Sequence, residues 1–427
     1  MLFFLLCLYI SLYYIRPFEW VPGLVGTPIF LVLGVVSILA LLFAWVSGTI
    51  RLFRYKTDVM MVGFVAAIVL SHLSHGYFGG AIDGVRDFLP AIVGYFLVAH
   101  ALDSEKKIKG FVFLLTGLTV FFAWQAWLQS VHGVSFGGME PLVQYQYDDE
   151  GARVGLSRVR WFGMFNDPND LGLALVLPVP FLLDRLMNRK YLLAGLCLPP
   201  LFYALYLTNS RGAMLALLAS VFTYLVLRFR SMKGVVVGLA LAAVLMVFGP
   251  SRMAQMSAGE DSAYGRVEAW YAGFQMFKSN PVFGVGKGMF TDFHELTAHN
   301  SFVQVLAELG VVGAFFFLGM FFYPLRWGKM NLFRESESPE SEQSRRFLAA
   351  GLAAGVGLLA SIFFLSRAYI LLPFMAFALV MAGIRSLGGV QGGIRKEEAP
   401  EDFSWRTVGG LVLVQIVGIN LLVKFML

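Results

Sequence analysis

A succession of twelve or thirteen apolar segments, most of them long enough to cross a bilayer, constrains the fold of this chain more than any other feature. An α-helix needs about 20 apolar residues to span the hydrocarbon core of a membrane. The composition agrees, because 58% of the 427 residues are hydrophobic and only 14% are charged, which is far more apolar than a soluble domain. We therefore predict an all-α polytopic membrane protein of about twelve helices, or thirteen if the short first segment also spans. The segments run over 2–15, 28–46, 59–75, 88–102, 108–131, 169–186, 190–208, 212–229, 232–249, 301–327, 347–365, 368–386 and 408–426.

Basic residues cluster in alternate connections between these segments. By the positive-inside rule those connections face the cytoplasm, and the other connections face outward. The outward set contains the two long polar loops, 132–168 and 250–300, and the second of these is predicted to carry short helices. The chain then divides into N-terminal spans at 1–131, a loop at 132–168, spans at 169–249, a loop at 250–300, and C-terminal spans with cytoplasmic linkers at 301–427. The basic groups are Arg51, Arg54 and Lys56; Lys106, Lys107 and Lys109; Arg185, Arg189 and Lys190; Arg228, Arg230 and Lys233; Arg326 to Arg346; and Arg385 to Arg406.

The net charge of +6 indicates orientation in the membrane and not a nucleic-acid partner, because the Lys and Arg residues lie in short connections. Cys7 and Cys197 both lie inside apolar segments, so neither a disulfide framework nor a thiolate metal site is expected. The sequence contains no P-loop, dinucleotide fingerprint or nucleophile elbow. We therefore predict no cofactor, and the energy for any reaction has to come from the substrate.

Short polar sequences precede four of the segments that are predicted to run inward. A helix N-terminus offers unpaired N–H groups and a partial positive charge, and two of these sequences also carry an arginine. We therefore predict that the four helix starts gather at the outer face and form a surface that attracts phosphate. Arg86, near the start of another inward-running segment, is included in this surface. The four sequences are Asn166-Asp167-Pro168-Asn169-Asp170, Asn209-Ser210-Arg211-Gly212, His299-Asn300-Ser301 and Ser366-Arg367.

The loop at 250–300 is predicted to contain an amphipathic helix that lies on the membrane surface. Apolar residues recur at helical spacing between Tyr264 and Lys278, and Asn280-Pro281 ends the run. Arg266 and Trp270 lie one turn apart on this helix. Three glycines that follow it are predicted to form a flexible link towards His299, and they are Gly284, Gly286 and Gly288.

His299 stands at the seam between this polar loop and the apolar segment 301–327. Asn300 or Ser301 can cap the helix that begins there, and the positive end of the helix dipole then faces the same compartment as the imidazole. A titratable group beside an anion-attracting helix end predicts a site. The alternative is an ordinary interfacial histidine.

The other candidate residues also have structural alternatives. Arg211 could be a snorkelling anchor, although such anchors usually lie on the cytoplasmic side. Arg266 could be a solvated residue on an amphipathic helix. Asp167 and Asn169 could be caps around Pro168.

Two groups of residues could be considered as metal ligands. Asp148-Asp149-Glu150 is the one acidic run in the outward loops, and the alternative is a solvated loop tip. His72 and His75 lie one helical turn apart, but no carboxylate or cysteine near them in sequence completes a ligand set. We predict no metal site.

The run His299-Asn300, nine residues, Gly310, two residues, Gly313 resembles the signature of the bacterial O-antigen ligases, the related polymerases and the protein O-oligosaccharyltransferases. This resemblance covers roughly residues 155–325, and its signature does not separate ligases from polymerases. Further similar motifs occur in the expected order. They are Gly163, Phe165, Asn166, Pro168 and Asn169 within Arg160 to Asp170; Ser210-Arg211-Gly212; Arg266 through Trp270; and Pro281, Gly284, Gly286 and Phe290.

The resemblance implies a glycan donor on undecaprenyl diphosphate and transfer at the periplasmic face of the bacterial inner membrane, without a metal or a nucleotide sugar. It implies that Arg211 and Arg266 act on the diphosphate and that His299 lies near the acceptor. His299 would then be the base in a direct, inverting attack by a sugar hydroxyl. The residues predicted to bind substrate are Arg86, Arg160, Asn166, Asp167, Asn169, Trp270, Asn300 and Arg367.

The function that we predict is that of an O-antigen ligase, which joins the glycan to lipid A-core, because the 250–300 loop matches the ligase arrangement of arginine and histidine. The first alternative is a polymerase or a protein O-oligosaccharyltransferase with the same chemistry. The second is a flippase or another transporter of lipid-linked oligosaccharide, which would place charges along the midplane and contain paired broken helices. The partners expected are the undecaprenyl diphosphate donor, the lipid A-core acceptor and membrane lipids, and no nucleic acid.

Overall fold

The structure is a computed structural model that describes residues 1–53, 55–147, 153–230, 232–248, 261–333, 339–390 and 405–426. It is mostly helical, and each of the thirteen apolar segments lies mainly in helix. Among the described residues, eight helices are long and apolar enough to cross a membrane. The prediction of a multi-pass helical membrane protein is confirmed, whereas the count of twelve or thirteen spans stays a prediction.

The first half of the chain contains most of the shorter elements. Its helices are α1 Leu2–Ile15, α2 Pro17–Trp20, α3 Ile29–Val46, α4 Lys56–Leu73, α5 Phe78–Ala101, α6 Glu105–His132, α7 Pro168–Val176, α8 Val179–Met187, α9 Tyr191–Leu207 and α10 Arg211–Phe229. Between α6 and α7 lie strands β1 Leu142–Tyr147 and β2 Arg153–Arg158, with single 3₁₀ turns at Phe136–Gly138 and Gly163–Asn166. The remaining helices are α11 Met232–Phe248, α12 Asp261–Ser279, α13 Phe290–Phe293, α14 Ser301–Leu332, α15 Pro339–Ile362, α16 Leu371–Val390 and α17 Trp405–Met426.

Helices α4, α5, α14 and α16 meet through a cluster of phenylalanine rings. The ring of Phe64 lies 5.5 Å from those of Phe88 and Phe317, and Phe88 lies 5.5 Å from Phe374. These distances between ring centroids lie in the range that aromatic pairs prefer. On the other side of the bundle α10 packs against α15. There a Cβ on Gly357 would lie 2.6 Å from the Ala216 carbonyl, so a small residue permits the close approach.

The loop at 132–168 contains a β-hairpin, so the all-α prediction is wrong in this loop. Strands β1 and β2 are antiparallel, with Leu142 opposite Arg158 and Tyr147 opposite Arg153. The sequence Leu-Val-Gln-Tyr-Gln-Tyr of β1 carries the alternation and the aromatic residues that are typical of strands. A search for bilayer-length apolar segments passes over such a short amphipathic strand. The acidic run 148–150 lies outside the described residues.

Two apolar segments that were expected to be continuous helices are broken. The segment 169–186 forms α7 and α8, which are separated at Leu177 and Pro178, because proline cannot donate a helical hydrogen bond. Helix α14 is interrupted at Gly310, whose φ of 63° and ψ of −160° are not helical. The break in α14 changes how the preceding loop packs.

The glycine-containing segment after α12 pairs with the backbone on both sides of the break in α14. The amides of Val285 and Gly286 donate to carbonyls at 307 and 308, at 3.0 and 2.9 Å, and the Val311 amide donates to Pro281 at 2.9 Å. The backbone groups on both sides of the break therefore form hydrogen bonds with residues 281–286. The predicted flexible link is wrong, because this segment is bonded along the helix that it was expected to join loosely.

Glycine is required at the contact between these two segments. A Cβ on Gly310 would lie 2.4 Å from the Val282 oxygen, and a Cβ on Gly284 would lie 2.2 Å from the Glu308 carbonyl carbon. Both glycines also have positive φ, a conformation that side chains with a Cβ rarely adopt. The first glycine of the signature is therefore explained by backbone packing.

Helix α12 lies in the loop at 250–300, where a helix on the membrane surface was predicted. It ends at Ser279, directly before Asn280-Pro281, and it packs against α14 and α17. Arg266 and Trp270 therefore lie on an element that is fixed against the bundle.

Candidate functional site

The N-termini of α7, α10 and α14 meet beside the turn between α15 and α16. The Ser210 hydroxyl donates to Asn169 Oδ1 at 2.6 Å. The Ser301 hydroxyl donates to the Leu365 carbonyl at 2.7 Å and accepts from the Arg367 amide at 2.8 Å. The prediction that these four polar sequences gather is confirmed. We call this group the polar cluster; it comprises Arg158, Asp167, Asn169, Asp170, Ser210, Arg211, Arg266, His299, Ser301 and Arg367.

Each of the three helix starts is capped by its own side chain. Asp167 accepts from the amide two residues further on at 2.9 Å, and Ser210 accepts from the amide three residues further on at 3.1 Å. Asn300 accepts from two amides, at 2.9 and 3.2 Å. The expectation that these N–H groups are unpaired is therefore wrong for the capped amides. The positive ends of the helix dipoles remain, and side chains have to supply most of the direct contacts to an anion.

Arg367 is held by two carboxylates. Its Nη2 lies 2.5 Å from Asp167 Oδ2 and its Nε lies 2.5 Å from Asp170 Oδ1. Asp170 is buried, so this guanidinium compensates a charge that would otherwise be costly to bury. Arg367 was predicted to bind substrate, but its position makes it the link between α7 and the turn before α16.

Arg158 belongs to the cluster although the sequence pointed to Arg160. Arg158 is buried; its Nη2 donates to Asn169 Oδ1 at 3.1 Å and its Nε to the Thr208 carbonyl at 3.0 Å. Arg160 instead donates to the Glu140 carbonyl at 3.0 Å. The two arginines are separated by one residue, and only the hairpin register places the first of them against α7.

His299 projects from a backbone that its neighbours fix on both sides. Its φ of 46° is in the left-handed region. The indole N–H of Trp270 donates to the carbonyl of Ala298 at 2.9 Å, and Asn300 caps α14. Trp270 and Asn300, both predicted to bind substrate, are thus buried residues that position the histidine. The cap of α14 is Asn300 and not His299, so capping does not explain the imidazole.

The surroundings of His299 hold its pKa below the ordinary value of 6.5. Burial has the largest effect, and the positive charges of Arg266 and then Arg367 lower the pKa further, while Asp167 opposes them. Three residues from distant parts of the chain therefore act on one half-buried imidazole. At neutral pH this imidazole is neutral and able to accept a proton.

Arg211 and Arg266 approach the cluster from different elements. Arg211 begins α10 directly after Ser210, and the neighbouring Gly212 lies beside Leu365. Arg266 lies on α12 and is close enough to His299 to affect its pKa. Both arginines are partly buried, and both interact with other residues of the chain. The structure thus places Arg266 near His299, and it places Arg211 next to Ser210 at the start of α10.

Two predicted binding residues have other surroundings. Arg86 is 74% exposed and pairs with Asp83 at 3.2 Å. It lies two turns inside α5, which begins at Phe78 and so earlier than the apolar segment indicated. Asn166 is exposed beside Asp167. The structure does not bring Arg86 into contact with the polar cluster.

A buried carboxylate, Glu308, lies on α14 two turns beyond His299 and was not predicted. It is 1% exposed, accepts from the Tyr369 hydroxyl at 2.7 Å and from Gln304 Nε2 at 3.3 Å. Nearby, Lys287 Nζ lies 3.1 Å from Asp87 and 5.4 Å from the Tyr369 ring. The sequence feature that could have identified Glu308 is a single carboxylate within an apolar span.

Within the described ranges, no group of three or more His, Cys, Asp or Glu side chains could hold a metal ion. His75 contacts Asn280 at 3.1 Å, and His72 is buried one turn away. The run Asp148 to Glu150 is not among these residues.

Residues 196–318 match the family model described as O-antigen ligase. No curated protein matches the chain. The matched region contains Arg211, Arg266, His299 and Gly310, whereas Arg367 and the Asp167 turn lie outside it. The resemblance predicted from the His-Asn and Gly-Gly spacing is confirmed in this region.

Proposed function

We propose that this member of the O-antigen ligase family transfers a glycan from undecaprenyl diphosphate to a sugar hydroxyl of lipid A-core. The family supports a ligase or polymerase type of activity on lipid-linked glycans in general. The reaction, the donor, the acceptor and the periplasmic face of the bacterial inner membrane are our proposal. The single observation that supports it most is the juxtaposition of His299 with Arg266 where α14 begins.

The leaving group is a diphosphate, so the site has to stabilise negative charge that develops on a phosphate oxygen. Guanidinium groups suit this role, since they hold two phosphate oxygens at once and stay charged. We assign it to Arg211 and Arg266, which come from two elements on the matched region. Arg367 is already held by Asp167 and Asp170, and we assign it to positioning. The helix dipoles of α10 and α14 add positive potential at the same place.

The acceptor hydroxyl is a poor nucleophile until a base removes its proton. In the proposed step the acceptor oxygen forms a bond to the anomeric carbon while the bond from that carbon to the diphosphate oxygen breaks. The hydroxyl proton passes to neutral His299, and the diphosphate leaves with the bonding electron pair. A single displacement of this kind inverts the anomeric centre.

The alternative function from a different class is that of a transporter. The break in α14 helps to distinguish a transporter from a transferase. Broken helices in transporters leave backbone groups available to bind an ion or a substrate. In this chain the groups around Gly310 bond to residues 281–286, so the break seats the outer loop segment. The break therefore favours a fixed site at the end of the bundle.

The test is transfer by the purified full-length protein from undecaprenyl diphosphate-linked glycan. Three acceptors are offered separately: lipid A-core, a second lipid-linked glycan and an acceptor protein. We expect lipid A-core to gain sugar. Extension of the lipid-linked glycan would indicate a polymerase, and modification of the protein would indicate the protein O-oligosaccharyltransferase reaction. Movement of intact donor across sealed vesicles without transfer would contradict the proposal.

A further inference from the structure

A second charged region lies at the end of the bundle opposite to the polar cluster. Between α6, α8 and α15 there is a cavity of about 350 Å³, which is within the usual size range of ligand pockets. Helix α15 ends near Leu365 and Arg367 in the polar cluster, whereas its first turns line the cavity. The cavity therefore belongs to the other side of the molecule, and the proposed reaction does not use it.

The cavity is strongly cationic. Lys109, Arg185, Lys190 and Arg346 line it, together with the carboxylate of Asp184. Lys109 has its own partner, Glu105, one turn earlier on α6, at 2.5 Å. For Arg185, Lys190 and Arg346, no carboxylate among the residues that the structure describes lies within ion-pair distance. The positive charge at the cavity is therefore not balanced within this part of the chain.

Asp184 offsets only one of the four positive charges that line the cavity. Its Oδ1 accepts from the Tyr224 hydroxyl at 3.0 Å and from Asn188 Nδ2 at 3.0 Å. A carboxylate bound in this way is fixed in place. The arginines and Lys190 remain as the groups that an anion would meet.

Buried guanidinium atoms without hydrogen-bond partners adjoin the cavity. The Nε atom of Arg346 is buried and unpaired, as are Nε and Nη1 of Arg345, which is 3% exposed. Arg345 and Arg346 also line a small neighbouring cavity with Arg228, Arg230 and Glu342, whose carboxylate offsets one of the four guanidinium charges there. Cations that merely orient a membrane protein stay in water, whereas desolvated cations require a counter-charge. This arrangement indicates an anion at the site.

One wall of the same cavity is apolar. It is formed by Val112, Phe181 and Phe347, and the two phenylalanine rings lie 4.8 Å apart. An inorganic anion gains no binding energy from apolar side chains. A phospholipid contains both a phosphate and hydrocarbon chains, so it can contact the basic and the apolar residues at once. Basic pockets between membrane helices bind anionic lipid headgroups for this reason. We propose that this cavity binds the headgroup of an anionic phospholipid, with an acyl chain against Phe181 and Phe347.

The test measures lipid binding to the purified full-length protein by native mass spectrometry. The probes are diphosphatidylglycerol, phosphatidylglycerol and phosphatidylcholine, each with the same acyl chains. We expect the two anionic lipids to bind at least about tenfold more tightly than phosphatidylcholine, because each basic residue near an anionic headgroup adds attraction. Millimolar inorganic phosphate should not displace them. Equal binding of all three lipids, or displacement of the anionic lipids by phosphate alone, would overturn the lipid assignment.

Paired variants locate the site. The double substitution Arg185→Gln with Arg346→Gln should weaken binding of the anionic lipids about tenfold. The control, Arg51→Gln with Lys106→Gln, removes the same charge from exposed residues of connections predicted to lie on the same side and should change binding less than twofold. Equal losses in the two proteins would show that only surface charge matters and would contradict the site. Because the lipid and phosphate comparisons use the unmodified chain, they test the proposal even if the cavity variant is unstable.

Discussion

At the scale of single residues, we divide the site into side chains that we propose act on the substrate and side chains that hold them in place. Arg367 forms ion pairs with Asp167 and Asp170, and Asn300 and Trp270 fix the backbone around His299. Arg211, Arg266 and His299 are the residues to which we assign chemistry. Substitutions in the first group should act through stability, and those in the second through the reaction.

Replacement of Arg211 by lysine tests whether the shape of the guanidinium matters. Lysine keeps the charge but cannot hold two phosphate oxygens at once, so we expect transfer to fall about 10–100-fold at unchanged expression. The matched control is Arg86→Lys, which changes an exposed arginine outside the cluster and should retain wild-type transfer. If Arg211→Lys also retains it, Arg211 is only an anchor.

The pH dependence of transfer tests the contact between Arg266 and His299. A base must be neutral, so the rate should fall as the pH drops through the lowered pKa of His299, and the acid limb should lie below pH 6.5. Arg266→Gln removes a cation that disfavours protonation, so the pKa should rise and the acid limb should move to higher pH. Arg266→Lys keeps the charge and should leave the limb in place. A limb that stays unmoved in Arg266→Gln would show that Arg266 acts on the donor alone.

Arg211, Arg266 and His299 could be proposed as site residues from the sequence, because each lies in a recognisable motif. The sequence could not distinguish Arg158 from Arg160, since that choice depends on the register of a hairpin. Nor could it show that Arg367 is bound by two carboxylates from α7. The local periodicity of a sequence does not specify contacts between residues that are distant in the chain.

At the scale of elements, the break in α14 joins the loop at 250–300 to the bundle. Hydropathy correctly predicted where α14 begins, but it cannot detect a single residue with positive φ inside an apolar segment. The three glycines after α12 were therefore predicted as a flexible link, although residues 281–286 bond to both sides of Gly310. Helices α7 and α8 were predicted as one helix because hydropathy also takes no account of the proline at position 178 that separates them.

Substitution of Gly310 by alanine tests this packing. The added Cβ would meet the Val282 oxygen in a conformation that alanine disfavours, so we expect a loss of about 2–4 kcal/mol in stability. The control is Gly117→Ala in α6, where no atom lies within 4 Å of the new Cβ. It should be neutral or stabilising by about 0.5–1 kcal/mol. Thermal unfolding in detergent measures both, and equal melting temperatures would contradict the role of the break.

At the scale of the whole molecule, the two ends of the bundle carry different charged sites. The polar cluster gathers three helix starts and the turn before α16, and the cationic cavity lies between α6, α8 and the first turns of α15. Polytopic architecture was predictable from apolar segments alone, because bilayer length sets their size. Which helices touch was not predictable, since apolar faces do not specify a neighbour.

Transfer should proceed in excess chelator at nearly its usual rate. The reason is that Arg211, Arg266 and the helix dipoles supply the positive charge that a divalent cation would otherwise give to the leaving diphosphate. Activity is measured in EDTA and again after addition of Mg²⁺ or Mn²⁺. Loss in EDTA that either cation restores would contradict this and would direct attention to Asp148, Asp149 and Glu150.

The most direct test of the central claim compares His299→Asn with Asn300→Ala. Asparagine tolerates the left-handed backbone that His299 adopts, so His299→Asn removes the base and keeps the turn. We expect its transfer from undecaprenyl diphosphate-linked glycan to fall roughly 10²–10⁴-fold, with donor binding unchanged. Asn300→Ala removes the cap of α14, at a cost of about 1 kcal/mol, and should only partly impair transfer. An active His299→Asn protein, with Asn300→Ala the more damaged of the two, would contradict the role of His299 as the base.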